Sequence, residues 1–569
     1  MTLFDAFTRK APNQVFLSIV LGALAGICYA LLIPLVLNSV APDGDRFASA
    51  GAEPYIFLGF EVAQYRFAGA FLATCVFILL ARSVSQIGLL RISMDVATDL
   101  RIRIYHRVSR APLVELERMG APKLIAALTT DVARIVMGAR MLPDLLIAVV
   151  TLVGMLGFLL YMNAAVFWFV MGAIVFGVVS YQVPMFFGNR YFTRSRQVAD
   201  ELQESIRGLI QGAKELKLNA RKRHAFFRDL LLANEQQILE LDKRGFTIVR
   251  AAMNYGDLIS FFVIGAITYI FINYHAVSNT ELLGVIMALL YVTGPVTSIL
   301  NYIPQIVVAR VSLNKVNQIL AELPEEDANE AERPALQWDS VRFEGVCYRH
   351  AARGDGEGFR LGPVDLELAR GQIVFVVGGN GSGKSTLSKL ITLHYLPQQG
   401  AVRFGDTLLD RDSLLACREQ VSAIYTDYHL FDRLLGVGGI GMQERIDEYL
   451  ALLQLQHKVS VKDGRFSTLA LSDGQKKRLA LLVAFLEDKA LYLFDEWAAD
   501  QDPVFKQVFY HRLLPELKAR NKAIVVISHD DRYFHVADRI VVMEEGRVAR
   551  THIVSAEERR QAMALPAAA

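Results

Sequence analysis

Gly378-Gly379-Asn380-Gly381-Ser382-Gly383-Lys384-Ser385 decides the fold of the C-terminal half of the chain. This stretch follows a short apolar run at 373–377 and precedes a helix-like run at 386–393. A strand, a glycine-rich loop and a helix in this order are typical of a P-loop. The glycines allow backbone N–H groups to surround a polyphosphate, and the helix directs its positive end toward it. We expect Lys384 to reach the β- and γ-phosphates of ATP and the Ser385 hydroxyl to bind Mg²⁺.

The composition indicates a membrane protein that carries a soluble domain. The 569 residues are enough for two or three domains. The mean hydropathy of +0.31 is high for a soluble enzyme, and the excess lies before Arg310, where apolar runs reach the roughly 20 residues that span a bilayer. The net charge of +2 gives no support for a nucleic-acid partner. Four scattered cysteines indicate neither a disulfide framework nor a metal cluster.

Six apolar runs predict an all-α polytopic membrane domain. The expected spans are 15–40, 67–90, 142–161, 164–183, 255–272 and 282–308. The second-to-third and fourth-to-fifth connections are long and rich in arginine. The first-to-second connection is mainly acidic, and the fifth-to-sixth connection has no Lys or Arg. The positive-inside rule therefore places both long connections and both termini on the cytoplasmic side.

The two arginine-rich connections predict helical extensions of the spans into the cytoplasm. We expect a short helix at each tip to dock on the ATPase domain, within 118–128 and 208–219. Two carboxylates near the starts of spans, Asp144 in the third and Asp257 in the fifth, are candidates for a functional role. An interhelical hydrogen bond is the alternative role for each of them.

Downstream of the P-loop, further elements follow in the order of an α/β nucleotide-binding domain. Residues 491–495 form an apolar run that ends in an acid, and we expect Asp495 to hold Mg²⁺ through water. Glu496 follows directly and is placed to polarise the attacking water as general base. Leu471-Ser472-Asp473-Gly474-Gln475 resembles the LSGGQ signature of ABC transporters.

With this motif, the C-terminal half resembles the P-loop ATPase domain of ABC transporters, and the six-span half resembles a type IV exporter membrane domain. The expected regions are a membrane domain at 1–320, an acidic linker at 321–335, an ATPase domain at 336–555 and a tail at 556–569. In this family two ATP molecules are held between two ATPase domains, each by the P-loop of one domain and the signature of the other. One P-loop and one signature per chain therefore imply a homodimer.

The resemblance implies the remaining contacts with ATP and Mg²⁺. His529 falls at the switch histidine that contacts the γ-phosphate, and Asp502 falls at the D-loop aspartate. Either Tyr348 or His350 is implied to stack on adenine. The expected ATP-binding residues are Gly378, Gly379, Asn380, Gly381, Ser382, Gly383, Lys384, Ser385, Thr386, Tyr348, His350, Ser472, Asp473, Gly474, Gln475 and Asp502; Glu496 and His529 are catalytic, and Ser385, Asp495 and Asp427 are the Mg²⁺ ligands.

Three positions depart from the family pattern. Thr426 stands where a glutamine is usual, and the adjacent Asp427 is the candidate to replace it as an Mg²⁺ contact. Asp473 stands in place of the glycine at the third position of the signature, and Trp497 stands in place of the proline that usually follows the catalytic glutamate. The lysine, the Mg²⁺ ligand, the glutamate and the histidine are all present, which predicts an active ATPase.

The strings GGNGSGKST, TDYHLF, LSDGQKKRLALL, LFDEWAADQDP and ISHDDRYF together resemble the ABC exporters of cyclic peptides and siderophore peptides. That group is associated with export of pyoverdine precursor, syringomycin-type lipopeptides and microcin J25. The resemblance implies a homodimer in the bacterial inner membrane, surrounded by membrane lipid, that exports a peptide-derived secondary metabolite or siderophore precursor. A lipid or lipid-linked precursor flippase shares the architecture. An ATP-gated channel or regulatory membrane ATPase is the remaining alternative.

Overall fold

The computed structural model describes residues 7–8, 10–40, 55–57, 60–62, 65–270, 273, 278–326, 328, 336–350, 358–439, 441–555 and 557–558. The chain forms two compact units. The first comprises Met1–His106 and Pro122–Glu322, and the second comprises Arg107–Ala121 and Leu323–Ala569. Most of the expected linker at 321–335 and nearly all of the expected tail at 556–569 lie outside the described residues, as does the side chain of Asp257.

Helices dominate the chain up to Glu322. They are α1 (Pro12–Val40), α2 (Tyr65–Arg110), α3 (Leu113–Met119), α4 (Ala121–Ala126), α5 (Val132–Arg140), α6 (Leu142–Met162), α7 (Ala164–Gln211), α8 (Ala213–Leu218), α9 (Ala220–Phe226), α10 (Ala233–Tyr269) and α11 (Asn279–Glu322). Single π-helical turns join α4 to α5 and α9 to α10. A short antiparallel hairpin, which the sequence did not predict, pairs β1 (Tyr55–Phe57) with β2 (Phe60–Val62).

Six helical stretches of the described chain are long and apolar enough to cross a membrane, and the prediction of six spans is confirmed. They are Pro12–Leu37, Arg66–Arg110, Ala121–Met162, Ala164–Gln211, Ala220–Tyr269 and Glu281–Glu322. The last five contain 42 to 50 residues each, about twice the length that a bilayer requires. These helices are therefore long enough to continue beyond a bilayer, as the sequence predicted for the second to fifth spans.

Small residues and one cap fix the packing of the spans. A Cβ atom on Gly154 would lie 2.5 Å from the Cβ atom of Ala30, so α6 approaches α1 more closely than a larger residue permits. Between α6 and α7, the Asn163 side chain accepts hydrogen bonds from the N–H groups of Ala165 and Val166. Asn163 is the only residue between the end of α6 and the start of α7, so this N-cap produces a tight connection between the third and fourth spans.

The second unit contains twelve of the described strands. They are β3 (Ser340–Arg349), β4 (Arg360–Ala369), β5 (Ile373–Gly378), β6 (Gln399–Phe404), β7 (Thr407–Leu408), β8 (Val421–Ile424), β9 (Val461–Lys462), β10 (Arg465–Phe466), β11 (Leu491–Asp495), β12 (Ala523–Ile527), β13 (Arg539–Glu544) and β14 (Arg547–Ile553). Its α-helices after Leu323 are α12 (Lys384–Ile391), α13 (Leu414–Arg418), α14 (Met442–Leu452), α15 (Asp473–Glu487), α16 (Pro503–Val508) and α17 (Leu514–Ala519).

A six-stranded sheet with the order β14-β13-β5-β12-β11-β8 forms the centre of the second unit. All residues of β11 and β12 are buried, as their continuous apolar sequences require in a parallel sheet covered on both faces. In the register, Asp495 pairs with Ile527 and Ile527 pairs with Val376. The carboxyl ends of β5, β11 and β12 therefore lie side by side, and the loops that follow them meet at one edge. The predicted α/β fold of this half is confirmed.

Candidate active site

The P-loop connects the end of β5 to the start of α12. Gly381 and Gly383 have φ angles of +78° and +101°, a region that favours glycine. A Cβ atom on Gly383 would also lie 2.8 Å from the Cδ1 atom of Leu361. The Lys384 ammonium donates hydrogen bonds to the carbonyls of Gly378 at 2.8 Å and Gly379 at 2.9 Å. The lysine therefore folds back over the loop that it is predicted to serve.

The pKa of Lys384 is lowered. Burial is the main cause, and the nearby carboxylates of Glu496 and Asp495 act in the opposite direction. Ser385, which follows it at the start of α12, is exposed, so its hydroxyl is accessible to a ligand.

Glu496 and His529 face each other across the ends of two neighbouring strands. Glu496 follows β11 with a φ angle of +49°, and its N–H group donates to the carbonyl of Ile527 at 3.0 Å. This left-handed turn directs the chain away from the strand. The His529 Nε2 atom lies 3.2 Å from the Glu496 Oε1 atom. The two residues predicted to be catalytic are thus within hydrogen-bonding distance of each other.

A cluster of carboxylates next to the P-loop favours a bound cation. The pKa of Asp495 is raised to about 6, first by burial and then by the negative charges of Glu496 and Asp427. The Thr426 hydroxyl donates to the carbonyl of Asp495 at 3.3 Å, so the departure from the family glutamine lies beside this acid. Mg²⁺ prefers such oxygen ligands and usually keeps substrate phosphates and water in its shell.

These residues fit Mg²⁺ as a site completed by nucleotide. Within the described part of the chain, no group of three or more His, Cys, Asp and Glu side chains forms a preassembled metal centre.

The signature segment forms the exposed N-terminus of α15. The Ser472 hydroxyl accepts from the Gln475 N–H group at 3.3 Å, and the Gln475 side chain accepts from the Ser472 N–H group at 3.2 Å. This capping box gives both residues a local role in starting the helix. The Asp473 side chain is 87% exposed, with the Lys476 ammonium 3.5 Å from one of its oxygens. Ser472 and Asp473 are exposed to solvent, and the other three residues of the segment are half-buried.

The sequence did not identify Lys477 as part of the site. It is buried on α15, and its ammonium lies 2.8 Å from an Asp500 carboxylate oxygen and 3.3 Å from the Glu496 carbonyl. Trp497 is fully buried, and its indole N–H donates to the Lys477 carbonyl at 3.0 Å. These contacts link the signature helix to the segment that carries Glu496, the predicted general base. The sequence contained no signal for this role, because a lysine in a helix is normally exposed.

The neighbouring Arg478 holds the D-loop segment. Its guanidinium bonds to the Asp502 carboxylate, donates to the Gln501 side chain at 2.9 Å, and lies 3.7 Å from the centre of the Phe505 ring. Asp502 in turn caps α16 by accepting from the Phe505 N–H group at 2.9 Å. The Asp502 side chain is therefore used within its own subunit, in addition to the ATP contact that the resemblance implies.

The structure distinguishes the two candidates for stacking on adenine. Tyr348 is buried, and its ring stacks on Tyr395 at a centroid distance of 4.7 Å, so the ring has little free surface for stacking on adenine. Its apolar ring completes the interior of the domain instead. His350 is half-buried, and its Nε2 atom lies 3.0 Å from the Thr386 hydroxyl at the P-loop helix. His350 remains the candidate.

A short helix from the membrane-domain sequence belongs to the ATPase unit. This helix is α3, and its Glu117 carboxylate accepts hydrogen bonds from the Lys389 ammonium and the Tyr395 hydroxyl, each at 2.6 Å. Burial would raise the pKa of Glu117, but these two hydrogen bonds outweigh it, and the pKa is lowered. The expected docking segment at 118–128 is therefore placed too late in the sequence, because the contacting turn precedes Gly120. Within the second expected segment, at 208–219, α8 forms a separate short helix.

Comparison with known proteins identifies both halves of the chain. Residues 15–296 match the family described as "ABC transporter transmembrane region", and residues 361–499 match the family described as "ABC transporter". The chain is similar to the "ATP-binding protein SyrD" of Pseudomonas syringae pv. syringae, with 32% identity over 94% of each chain.

More distant similarity extends to two other kinds of protein. The "ATP-dependent lipid A-core flippase" of Alkalilimnicola ehrlichii is 25% identical over 80% of this chain and 79% of its own. The "transport/processing ATP-binding protein ComA" of Streptococcus pneumoniae is 26% identical over 46% of this chain and 37% of its own.

Proposed function

Because this chain belongs to the ABC transporter family, as an exporter with one membrane domain and one ATPase domain, we propose that it exports a peptide-derived secondary metabolite. It is a multi-pass membrane protein that binds ATP and couples ATP hydrolysis to transport. The main support for ATP hydrolysis is the distance of 3.2 Å between His529 Nε2 and Glu496 Oε1. Both residues lie at the edge of the sheet from which the P-loop also begins.

The residues of the ATPase site have separate roles in the hydrolysis of ATP. The P-loop N–H groups and Lys384 hold the phosphates, and Glu496 takes a proton from the attacking water. His529 orients the Glu496 carboxylate and contacts the γ-phosphate. Ser385, Asp495 and Asp427 would hold Mg²⁺, and the bound ion would neutralise charge on the phosphates.

The complete site needs a second copy of the chain. The signature residues of one copy close over the ATP that the P-loop of the other copy holds, which makes a two-fold symmetric homodimer the simplest assembly. We place this homodimer in the bacterial inner membrane, with both termini in the cytoplasm. The arginine-rich connections support this orientation.

Peptide-derived cargo is supported by the motif strings of the ATPase half and by the extent of similarity to SyrD. That similarity covers 94% of each chain, whereas the similarity to the lipid A-core flippases is weaker and covers less of both chains. The flippase similarity nevertheless makes lipid the second candidate cargo.

ATPase activity in liposomes tests the two cargo classes. The purified protein is titrated with linear, cyclic and siderophore-like peptides, and Glu496→Gln serves as the blank. Saturable stimulation by one class of peptide is the expected result. A rate that ignores every peptide and changes only with lipid composition would instead support the flippase.

A further inference from the structure

A polar cavity of about 340 Å³ lies within the membrane unit. Four helices that contain candidate spans, α1, α2, α6 and α11, contribute its walls. The residues that line it include three tyrosines, one ion pair and one proline: Tyr29, Arg82, Asp144, Tyr291, Pro295 and Tyr302. Polar side chains within spans are costly unless they meet each other, water or a ligand.

An ion pair with balanced charge lies on the wall of this cavity. The Arg82 Nη2 atom is 3.7 Å from the Asp144 Oδ1 atom, and Arg82 Nη1 donates to the Tyr29 hydroxyl at 3.2 Å. The amide of Gln86 donates to Asp144. The side chains of Arg82 and Asp144 remain 46% and 26% exposed, so neither is enclosed by its partner. The lining residues include no other Lys, Arg, Asp or Glu, and the site has no net formal charge.

A proline inside a helix, Pro295 in α11, lies on the wall of the same cavity. Proline has no N–H group, so the carbonyl of Tyr291, one turn earlier, loses its usual helical donor. The rings of Tyr29 and Tyr291 have centroids 6.2 Å apart and supply flat apolar walls, while their hydroxyls supply donors and acceptors.

From this arrangement we infer that the cavity binds uncharged backbone amides of the exported peptide. The Arg82 guanidinium donates to an amide carbonyl of the peptide, and the Tyr291 carbonyl accepts from an amide N–H group. The tyrosine rings pack against the apolar part of the same segment. The cavity has no net positive charge, so it offers little electrostatic attraction to the anionic phosphate of a lipid headgroup. This inference rests on the proposed export of a peptide and names the part of the cargo that the membrane domain recognises.

Direct binding to the full-length protein in nanodiscs, without nucleotide, tests the inference. The probe is a fluorescent head-to-tail cyclic hexapeptide without charged side chains, and its fully N-methylated form is the comparison. Because N-methylation removes every amide donor, we expect it to weaken binding at least about tenfold. Equal affinity for the two peptides would overturn the inference, as would displacement of the cyclic peptide by a diphosphorylated glycolipid.

Variants locate the binding in the cavity. Arg82→Met combined with Asp144→Leu removes both charges together and leaves no unpaired ion, and we expect binding to fall at least about tenfold. Tyr302→Phe removes one hydroxyl from the lining, for an expected loss of about two- to tenfold. Tyr255→Phe removes the same group outside the cavity and should bind like the wild type. Gel filtration and thermal unfolding verify that each variant is folded.

The inference and the proposed function can fail separately. If peptides stimulate the wild-type ATPase while the Arg82→Met/Asp144→Leu variant binds the probe normally, the export proposal stands and the amide site is wrong. If the wild type responds only to the glycolipid, the proposed function is wrong as well.

Discussion

The ATP-hydrolysis site and the membrane cavity are built in opposite ways from the same chain. The groups of the ATPase site lie on short contiguous motifs, because the carboxyl ends of parallel strands bring successive loops to one edge. The cavity is lined by residues from four helices, which are spread over more than 270 positions of the sequence between Tyr29 and Tyr302. The first kind of site can be recognised from short stretches of sequence, whereas the second forms only when the helices pack.

The two regions also differ in how they manage charge. Next to the P-loop, burial and the neighbouring carboxylates raise the pKa of Asp495 to about 6. This concentration of negative charge favours binding of a cation, and with it a phosphate substrate. In the cavity, one guanidinium and one carboxylate balance, which favours a neutral ligand. If the cavity binds the cargo as proposed, substitutions next to the P-loop should impair ATP hydrolysis and substitutions in the cavity should impair cargo binding.

The largest expected effect is on hydrolysis at Glu496. Glu496→Gln should lower the ATPase rate at least about a hundredfold, because the attacking water loses its general base. ATP binding, measured with a fluorescent analogue, should remain. Glu444→Gln removes a carboxylate from the surface of the same domain and should leave the rate unchanged. Turnover of Glu496→Gln near the wild-type rate would remove Glu496 from this role.

Lys384→Ala should weaken ATP binding by about ten- to a hundredfold, because a charge-assisted contact with the phosphates is lost. Equilibrium binding of ATP provides the measurement, and Lys458→Ala on the exposed surface is the matched control. An unchanged dissociation constant would contradict the assignment of the P-loop.

Glu117→Gln tests whether α3 connects the two regions. The amide cannot accept as strongly from Lys389 and Tyr395, so peptide-stimulated ATPase activity should fall about two- to tenfold while basal activity changes less. Glu115→Gln alters the same helix without touching this contact. Since the pKa of Glu117 is lowered, its contribution is present above the ordinary pKa of a glutamate and is lost only as the pH falls through the lowered value. Equal loss of basal and stimulated activity would argue against a connecting role.

The smallest effect is expected at the signature. Asp473→Gly removes an exposed carboxylate that the proposed dimer brings near the γ-phosphate of the partner's ATP. The KM for ATP should fall about two- to threefold, more at low ionic strength than at high, because salt screens the repulsion. A KM that is unaffected at both salt concentrations would show that this departure is neutral.

The sequence predicted the ATPase half better than the membrane half. The order of the P-loop, the strand ending at Asp495 and the run before His529 was enough to specify the sheet edge, because their spacing follows the backbone. The buried positions of Lys477 and Tyr348 were not predictable. Burial of a lysine depends on the Asp500 and Glu496 groups that the fold brings to it, and Tyr348 is covered by Tyr395 from a distant loop.

In the membrane half, apolar runs predicted the number of spans but not their side-chain partners. Asp144 was a candidate because it is a carboxylate near a span, yet its pairing with Arg82 and Gln86 depends on the rotation of α2 against α6. The docking turn was misplaced for a similar reason. A continuous helical pattern did not reveal where α2 ends, and the break before Leu113 moved the contacting residue to Glu117.

The most direct test of the account is ATP-dependent uptake of a labelled cyclic peptide into inside-out proteoliposomes. The wild type should accumulate the peptide only with hydrolysable ATP and Mg²⁺, and Glu496→Gln should accumulate none above the background. Uptake of the peptide by Glu496→Gln at the wild-type rate would contradict the coupling of hydrolysis to export. ATP-dependent movement of a labelled lipid, with no movement of any peptide, would contradict the proposed cargo.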